Sequence, residues 1–192
     1  MGELNLRCLS ADEFFEWQAK QDRLYELVDG VPVLPLKMMT GASQAHDRVV
    51  VNIIASLHRQ LRGTGCRPTT DDLAVRIPSG NIRRPDVTVE YGESGPREMV
   101  VREPRVVVEV LSPSTMSFDR FRKVEEYKLV HTLVHIPLVD TEQPRITVLG
   151  RSEGGNWNVS ESAGLDATID LSEISASLSL TDIYEGVVFD RA

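Results

Sequence analysis

Cysteine is scarce in this chain of 192 residues: only Cys8 and Cys66 occur, and no CxxC pair exists. That excludes a disulfide scaffold and a cysteine-built zinc site. Both are expected as reduced thiols in the core or near the surface, which favours a cytoplasmic home. Long apolar runs are missing too. No stretch approaches the roughly 20 residues that span a bilayer. The opening residues, Met1-Gly2-Glu3-Leu4-Asn5-Leu6-Arg7, lack the apolar core of a signal peptide. The expectation is a protein with no membrane span and no export signal. Basic charge is in deficit, with 21 Lys and Arg against 29 Asp and Glu for a formal net charge of −8. A general nucleic-acid coat protein is thereby excluded. A nuclease is not, because metal ions and a local basic strip can offset the average. Repeats, low-complexity tracts and linkers are absent, and the length suits one full core. Residues 1–192 are therefore expected to form a single domain.

What is present reads as alternating helices and strands. Ser10 and Glu13 have capping-box spacing ahead of an amphipathic helix over residues 11–21. Residues 25–34 predict a hairpin around Asp29-Gly30, the strongest short turn signal; Glu26 stands on its first strand among apolar neighbours. The clearest helix runs over residues 43–61, where Val49, Val50, Ile53, Ile54, Leu57 and Leu61 form one stripe. His46 extends that stripe at the helix start, either as a partly buried packing histidine or as a histidine at the rim of a cleft. Strands are expected over residues 66–70, 73–77, 86–90, 105–111, 133–139, 145–149, 157–159 and 168–171. A second helix is expected over 117–130 and a short one over 180–189. The order predicts a mixed α/β (α+β) domain with a central sheet flanked by helices.

The chemistry concentrates between Arg84 and Lys123. Two β-type runs each carry one carboxylate: Asp86 in Arg84-Pro85-Asp86-Val87, and Glu109 inside the valine run 106–110. A carboxylate in a buried strand is costly unless paired. Two close together can seat a hard divalent cation, with the Val110 carbonyl as a backbone ligand. Phosphodiester hydrolysis needs a nucleophilic water and stabilised charge, and Mg²⁺ (or Mn²⁺) supplies both. Lys123 follows on the next helix and could orient or deprotonate the water or stabilise phosphate charge. The alternative is structural: a Pro-Asp at a strand start, and a strand glutamate paired with an arginine. Tyr127 shares the face of Asp119 and Lys123 and either orients the lysine or packs in the core. Arg83 and Arg84 are candidate phosphate contacts or a solvated pair. His131 and His135 lack a third nearby ligand and are expected as surface or packing residues. Pro137 interrupts its strand, since proline is mostly restricted to edges and bulges.

The chain resembles the Uma2 (DUF820) family of endonuclease-like proteins in the PD-(D/E)XK nuclease superfamily. The resemblance rests on Tyr25-Glu26-Leu27-Val28-Asp29-Gly30, His46, Asp72, Arg84-Pro85-Asp86-Val87, Val108-Glu109-Val110-Leu111-Ser112-Pro113-Ser114-Thr115, and Asp119, Lys123 and Tyr127. It implies a restriction-endonuclease-like core and a metal-dependent endonuclease acting on DNA. Asp86 and Glu109 would be the metal ligands, Glu26 an added acid, and His46, Asp72 and Tyr127 accessory residues. The superfamily's lysine position is Leu111 here, so Lys123 would replace it. The Tyr-Trp pair usual after the second helix is absent. A homodimer is expected, because cutting two strands needs two sites and twofold closure is the commonest assembly. The rival reading is a non-cleaving module that binds nucleic acid or protein.

Overall fold

The computed structural model describes residues 8–35, 43–111 and 118–189, and the side chains of these except 118–120. Ser112-Pro113-Ser114-Thr115 and the Asp119 side chain lie outside the described residues, as does the segment 1–7. In chain order the elements are α1 (Ala11–Gln18), β1 (Glu26–Val28), β2 (Val31–Val33), α2 (Gln44–Gln60), β3 (Cys66–Thr70), β4 (Val75–Arg76), β5 (Ile82–Arg83), β6 (Val87–Tyr91), β7 (Pro104–Leu111), α3 (Phe118–Lys128), β8 (His135–Asp140), β9 (Arg145–Arg151), β10 (Trp157–Ala163), β11 (Thr168–Leu171), β12 (Ala176–Ser179) and α4 (Leu180–Ile183).

Local chemistry explains where several of these begin. Ser10 Oγ accepts from the Glu13 amide at 3.3 Å while Glu13 Oε2 accepts from the Ser10 amide at 2.9 Å, satisfying two otherwise orphaned donors of α1. The β1–β2 turn holds Asp29 at φ 49° and Gly30 at φ 80°, the left-handed pair that a two-residue hairpin demands. A Cβ on Gly30 would also lie 2.6 Å from Cys8 Cβ, so the turn requires glycine on both counts. Ser43 caps α2 by accepting from the His46 amide at 3.2 Å.

The main sheet has six strands in the order β10-β9-β8-β7-β6-β3. All pairs are antiparallel except β7–β8, which is parallel, and the crossover it needs is supplied by α3. β7 has layers on both faces. Val106, Val108 and Val110 belong to one core with Val49, Ile53 and Leu57 of α2; Val107 and Leu111 belong to another with Val124 and Tyr127 of α3. Each fully buried aliphatic side chain in these stripes contributes about 1.5–3 kcal/mol. The α+β architecture with a central mixed sheet is as expected. A second sheet, β2-β1-β5-β4, lies beside it, and β11 pairs with β12.

Several boundaries differ from expectation. α1 ends at Gln18, and residues 19–21 continue only as turns, with Lys20 bonded to the Trp17 carbonyl and Gln21 to that of Gln18. α4 stops at Ile183 for a similar reason: Glu185 and Val187 make only such three-residue turns, and Gly186 sits at φ 70°. The strand expected over 73–77 is only Val75–Arg76, and β5, two residues long, is too short to show an alternation. Pro137 does not place its strand at an edge. β8 lies between β7 and β9, where Pro137 pairs with Val148. The β7–β8 ladder instead has a gap between Val106↔His135 and Glu109↔Leu138. The gap spans the imino acid that has no N–H to donate.

Candidate active site

Glu26 and Arg83 are brought together by strand register. Leu27 of β1 pairs with Ile82 of β5, and one step further along that antiparallel register sets Glu26 opposite Arg83. Both are almost fully buried, so each needs a partner. Arg83 Nη1 donates to Glu26 Oε2 at 2.9 Å. Its Nε and Nη2 donate to the two oxygens of Glu126 at 2.6 and 3.1 Å, the two-pronged geometry that a guanidinium offers a carboxylate. Glu126 also accepts from Asn81 at 2.8 Å and from Arg122 at 3.0 Å, and Arg122 reaches Asp29 at 2.5 Å. The other oxygen of Glu26 accepts from the Arg84 amide at 3.0 Å and from Lys123 Nζ at 2.9 Å.

Asp86 immediately precedes β6, whose first residue Val87 pairs with Val108 of β7, the residue before Glu109. Asp86 Oδ2 accepts from the Val110 amide at 2.8 Å, and its Oδ1 lies 3.4 Å from His46 Nε2 at the start of α2. Glu109 faces α3, where its Oε1 accepts from the Tyr127 hydroxyl at 2.6 Å. Lys123 lies on the same side of α3, one turn before Tyr127. Its ammonium is hydrogen-bonded to Glu26 and feels the charge of Glu109.

The electrostatics follow from these contacts. Burial works against the charge on Lys123, but Glu109 and Glu26 outweigh it and hold the ammonium well above the ordinary lysine value. Burial likewise pushes Glu26 up, yet Lys123, Arg83 and the Arg84 amide leave it below the usual carboxylate value. Glu126 is lowered in the same way, burial being offset first by its bond to Arg83. Tyr127 is raised well above its ordinary value by burial and then by Glu109.

Sequence reasoning read Arg83 and Arg84 as phosphate contacts or a solvated pair, and the structure corrects this. Both are buried. Arg84 spends its guanidinium on backbone carbonyls, from Nε to Tyr25 at 3.0 Å and from Nη1 to Asp71 and Asp72 at 3.1 and 2.6 Å. Asp72 therefore enters this region through its carbonyl, while its residue is exposed. Glu126 and Asn81 were missed. The available signal for Glu126 was helical spacing, since it shares the inner face of α3 with Lys123 and Tyr127. No local signal marked Asn81, a turn residue whose role depends on contacts far away in sequence. His135 is buried and hydrogen-bonds Glu173, and His131 is exposed.

Among the described residues no group of three or more His, Cys, Asp or Glu converges as a metal cage. The donor set nonetheless suits a hard cation of the Mg²⁺ type, which takes one or two carboxylates and keeps its waters. Asp86 is tied to the Val110 amide, so the peptide that follows Glu109 lies against the Asp86 carboxylate.

Comparison with known proteins gives a consistent picture. The sequence model of the Uma2 family, described as "putative restriction endonuclease", matches residues 11–182. Two uncharacterized proteins of Synechocystis, slr1290 and sll1609, are 29% identical over 183 residues and 25% identical over 170 residues. They cover 94% and 86% of this chain and 94% of their own length each. A crystal structure from Anabaena variabilis, titled as a "putative nuclease belonging to DUF820", superposes with a TM-score of 0.73 at 16% identity. The match covers 94% of this chain and 99% of that one.

Proposed function

Because the chain belongs to the Uma2 family, we propose that it is a metal-dependent endonuclease hydrolysing phosphodiester bonds of DNA, with Asp86, Glu109 and Lys123 at its centre. The observations that support this are two linked contacts: the buried Lys123 ammonium donates to Glu26 and feels the charge of Glu109, and Asp86 accepts from the amide of Val110, the residue after Glu109. Asp86, Glu109 and the Val110 carbonyl would hold Mg²⁺ or Mn²⁺. Such an ion, when bound, polarises a phosphoryl oxygen and makes a nucleophilic water available near neutral pH.

The remaining work falls to the chain itself. Lys123 stays protonated at neutral pH, so its role is to stabilise developing negative charge on the phosphate rather than to take a proton. Glu26 is the holder of that ammonium, anchored from behind by Arg83 and the Arg84 amide. Tyr127 fixes the rotamer of Glu109, and the Val110 amide fixes that of Asp86. His46 packs against Asp86 from α2 and limits its movement.

Nicking of supercoiled plasmid DNA with Mg²⁺ or Mn²⁺, against a chelator control, tests the reading. Cleavage that needs the metal and disappears in Asp86→Asn, with folding intact, is expected. The asparagine keeps an oxygen for the Val110 amide and removes one unit of negative charge. Absence of metal-stimulated cleavage in the folded wild type, together with no Mn²⁺ binding by calorimetry, refutes it and leaves a non-cleaving binding module.

A further inference from the structure

The six-stranded sheet ends in two edges that are built differently. β3 is five residues long, contains Pro68 and exposes Arg67. A proline without N–H and a charged side chain are devices that keep an edge from pairing with another chain. β10 has neither. Trp157–Ala163 runs seven residues in unbroken register with β9, from Trp157↔Arg151 to Ala163↔Arg145, with no proline, lysine or bulge. Asn158, Val159, Ser160, Glu161 and Ala163 are exposed, so both faces of the strand are open. Val159 alone is 67% exposed. Among the described residues no strand pairs with its outer side.

An edge of this kind offers a row of main-chain donors and acceptors, solvated in the monomer, that another strand can pair with. We propose that β10 is a homodimer interface. The same strand of a second copy pairs with it antiparallel across a twofold axis at Ser160, joining the two sheets into one. The sequence of β10 suits pairing with itself. In this register all seven residues pair: Trp157 stands opposite the partner's Ala163, Asn158 opposite the partner's Ser162, and Val159 opposite the partner's Glu161. The large indole, whose ring already carries the Arg151 guanidinium at 4.7 Å, meets the smallest side chain. The two Val159 side chains become diagonal neighbours on one face, within reach of each other.

Charge selects among registers. Glu161 is the strand's single charged residue. A pairing centred on Glu161 would oppose two carboxylates directly, which is destabilising. Centring on Val159 would shorten the ladder to residues 157–161. The Ser160 register avoids both faults, and each Glu161 keeps its own Arg145, whose Nε lies 3.8 Å away. The arrangement is isologous and closes on itself, so the open edges are consumed rather than propagated into a fibre.

The test is independent of nuclease activity. Light scattering after size exclusion, at micromolar protein, is expected to give twice the monomer mass for the wild type. Val159→Lys, a change at an exposed position, is expected to give the monomer mass with an unchanged circular dichroism spectrum. In a Cys8→Ser background, Ser160→Cys oxidised by diamide, which takes up the two thiol hydrogens, should yield a covalent dimer. Val159→Cys and Glu161→Cys should yield several-fold less. A monomeric wild type, a dimer that persists in Val159→Lys, or preferential crosslinking at Glu161→Cys would each overturn the proposal.

Discussion

Replacing Arg83 with methionine tests the buried charge network most directly. The guanidinium is 1% exposed and makes three charged hydrogen bonds, at 2.6, 2.9 and 3.1 Å, to Glu126 and Glu26. Removing one member of a buried ion pair costs about 3–5 kcal/mol, chiefly because the remaining charge is stranded. Here each stranded carboxylate keeps other donors. Glu26 retains Lys123 and the Arg84 amide, and Glu126 retains Asn81 and Arg122. The lower end, about 3 kcal/mol, is therefore expected. For a domain of this size that corresponds to a fall of about 6–12 °C in Tm, and the variant stays folded because domains carry about 5–15 kcal/mol. The loss depends on pH with a definite sign. In the wild type both glutamates lie below their ordinary values. Their stabilisation is thus present above the unfolded carboxylate range, about pH 4.3, and is lost as pH falls through the lowered folded values. Without Arg83 the burial that opposes their charge is less offset, so the variant is penalised most near pH 7.5. The difference from wild type shrinks as pH falls toward 4, where protonation relieves the stranded charges. Urea denaturation of both proteins at pH 7.5 and at about pH 3.5, below the unfolded carboxylate range, measures this. Adding Glu126→Gln to Arg83→Met should recover part of the loss. A cost below about 1 kcal/mol at pH 7.5, or an equal cost at both pH values, would refute the account of Arg83 as the ion that holds the two glutamates.

Other expectations concern the site itself. Lys123→Met should lower plasmid nicking by about 10²-fold or more, on the scale of losing one charge-stabilising donor, while Arg83 and the Arg84 amide keep Glu26 partnered and the protein folded. Tyr127→Phe removes the 2.6 Å bond to Glu109. A hydrogen bond to a charged group contributes about 1.5–3 kcal/mol, so chemical denaturation should register a loss in that range, with weaker Mn²⁺ binding by calorimetry as Glu109 loses its fixed rotamer. At the surface, Ser10→Ala should cost about 1 kcal/mol through loss of the α1 cap, with no change in Mn²⁺ affinity.

Much of the fold was legible from local pattern. The stripe of Val49, Ile53, Leu57 and Leu61 reads as α2, and the valine run around Glu109 reads as a central strand, because burial on one face or on both leaves a period in the sequence. Asp29-Gly30 announces its turn because few other residue pairs tolerate two left-handed conformations. The hidden parts were those without period or turn chemistry. β5 is only Ile82–Arg83, and its existence depends on β1 and β4 being beside it. Pro137 reads as an edge residue, yet it stands inside the sheet because the ladder to β9 carries the strand past the missing amide.

The sequence by itself determined which ionisable groups are available near the sheet. Asp86, Glu109, Lys123 and Glu26 could be named from their neighbours and from family resemblance. It did not determine their partners. Arg83 and Arg84 look alike in sequence, and both look like surface cations. Only the tertiary structure decided that one neutralises Glu26 and Glu126 while the other ties down backbone carbonyls. The physical reason is that hydrophobic burial acts through side-chain periodicity within one element and is written locally. The free energy of a buried charge depends on whichever opposite charge arrives from elsewhere in the chain. Lys123 and Glu26, 97 positions apart, acquire their perturbed ionisation only when β1 and α3 are packed together.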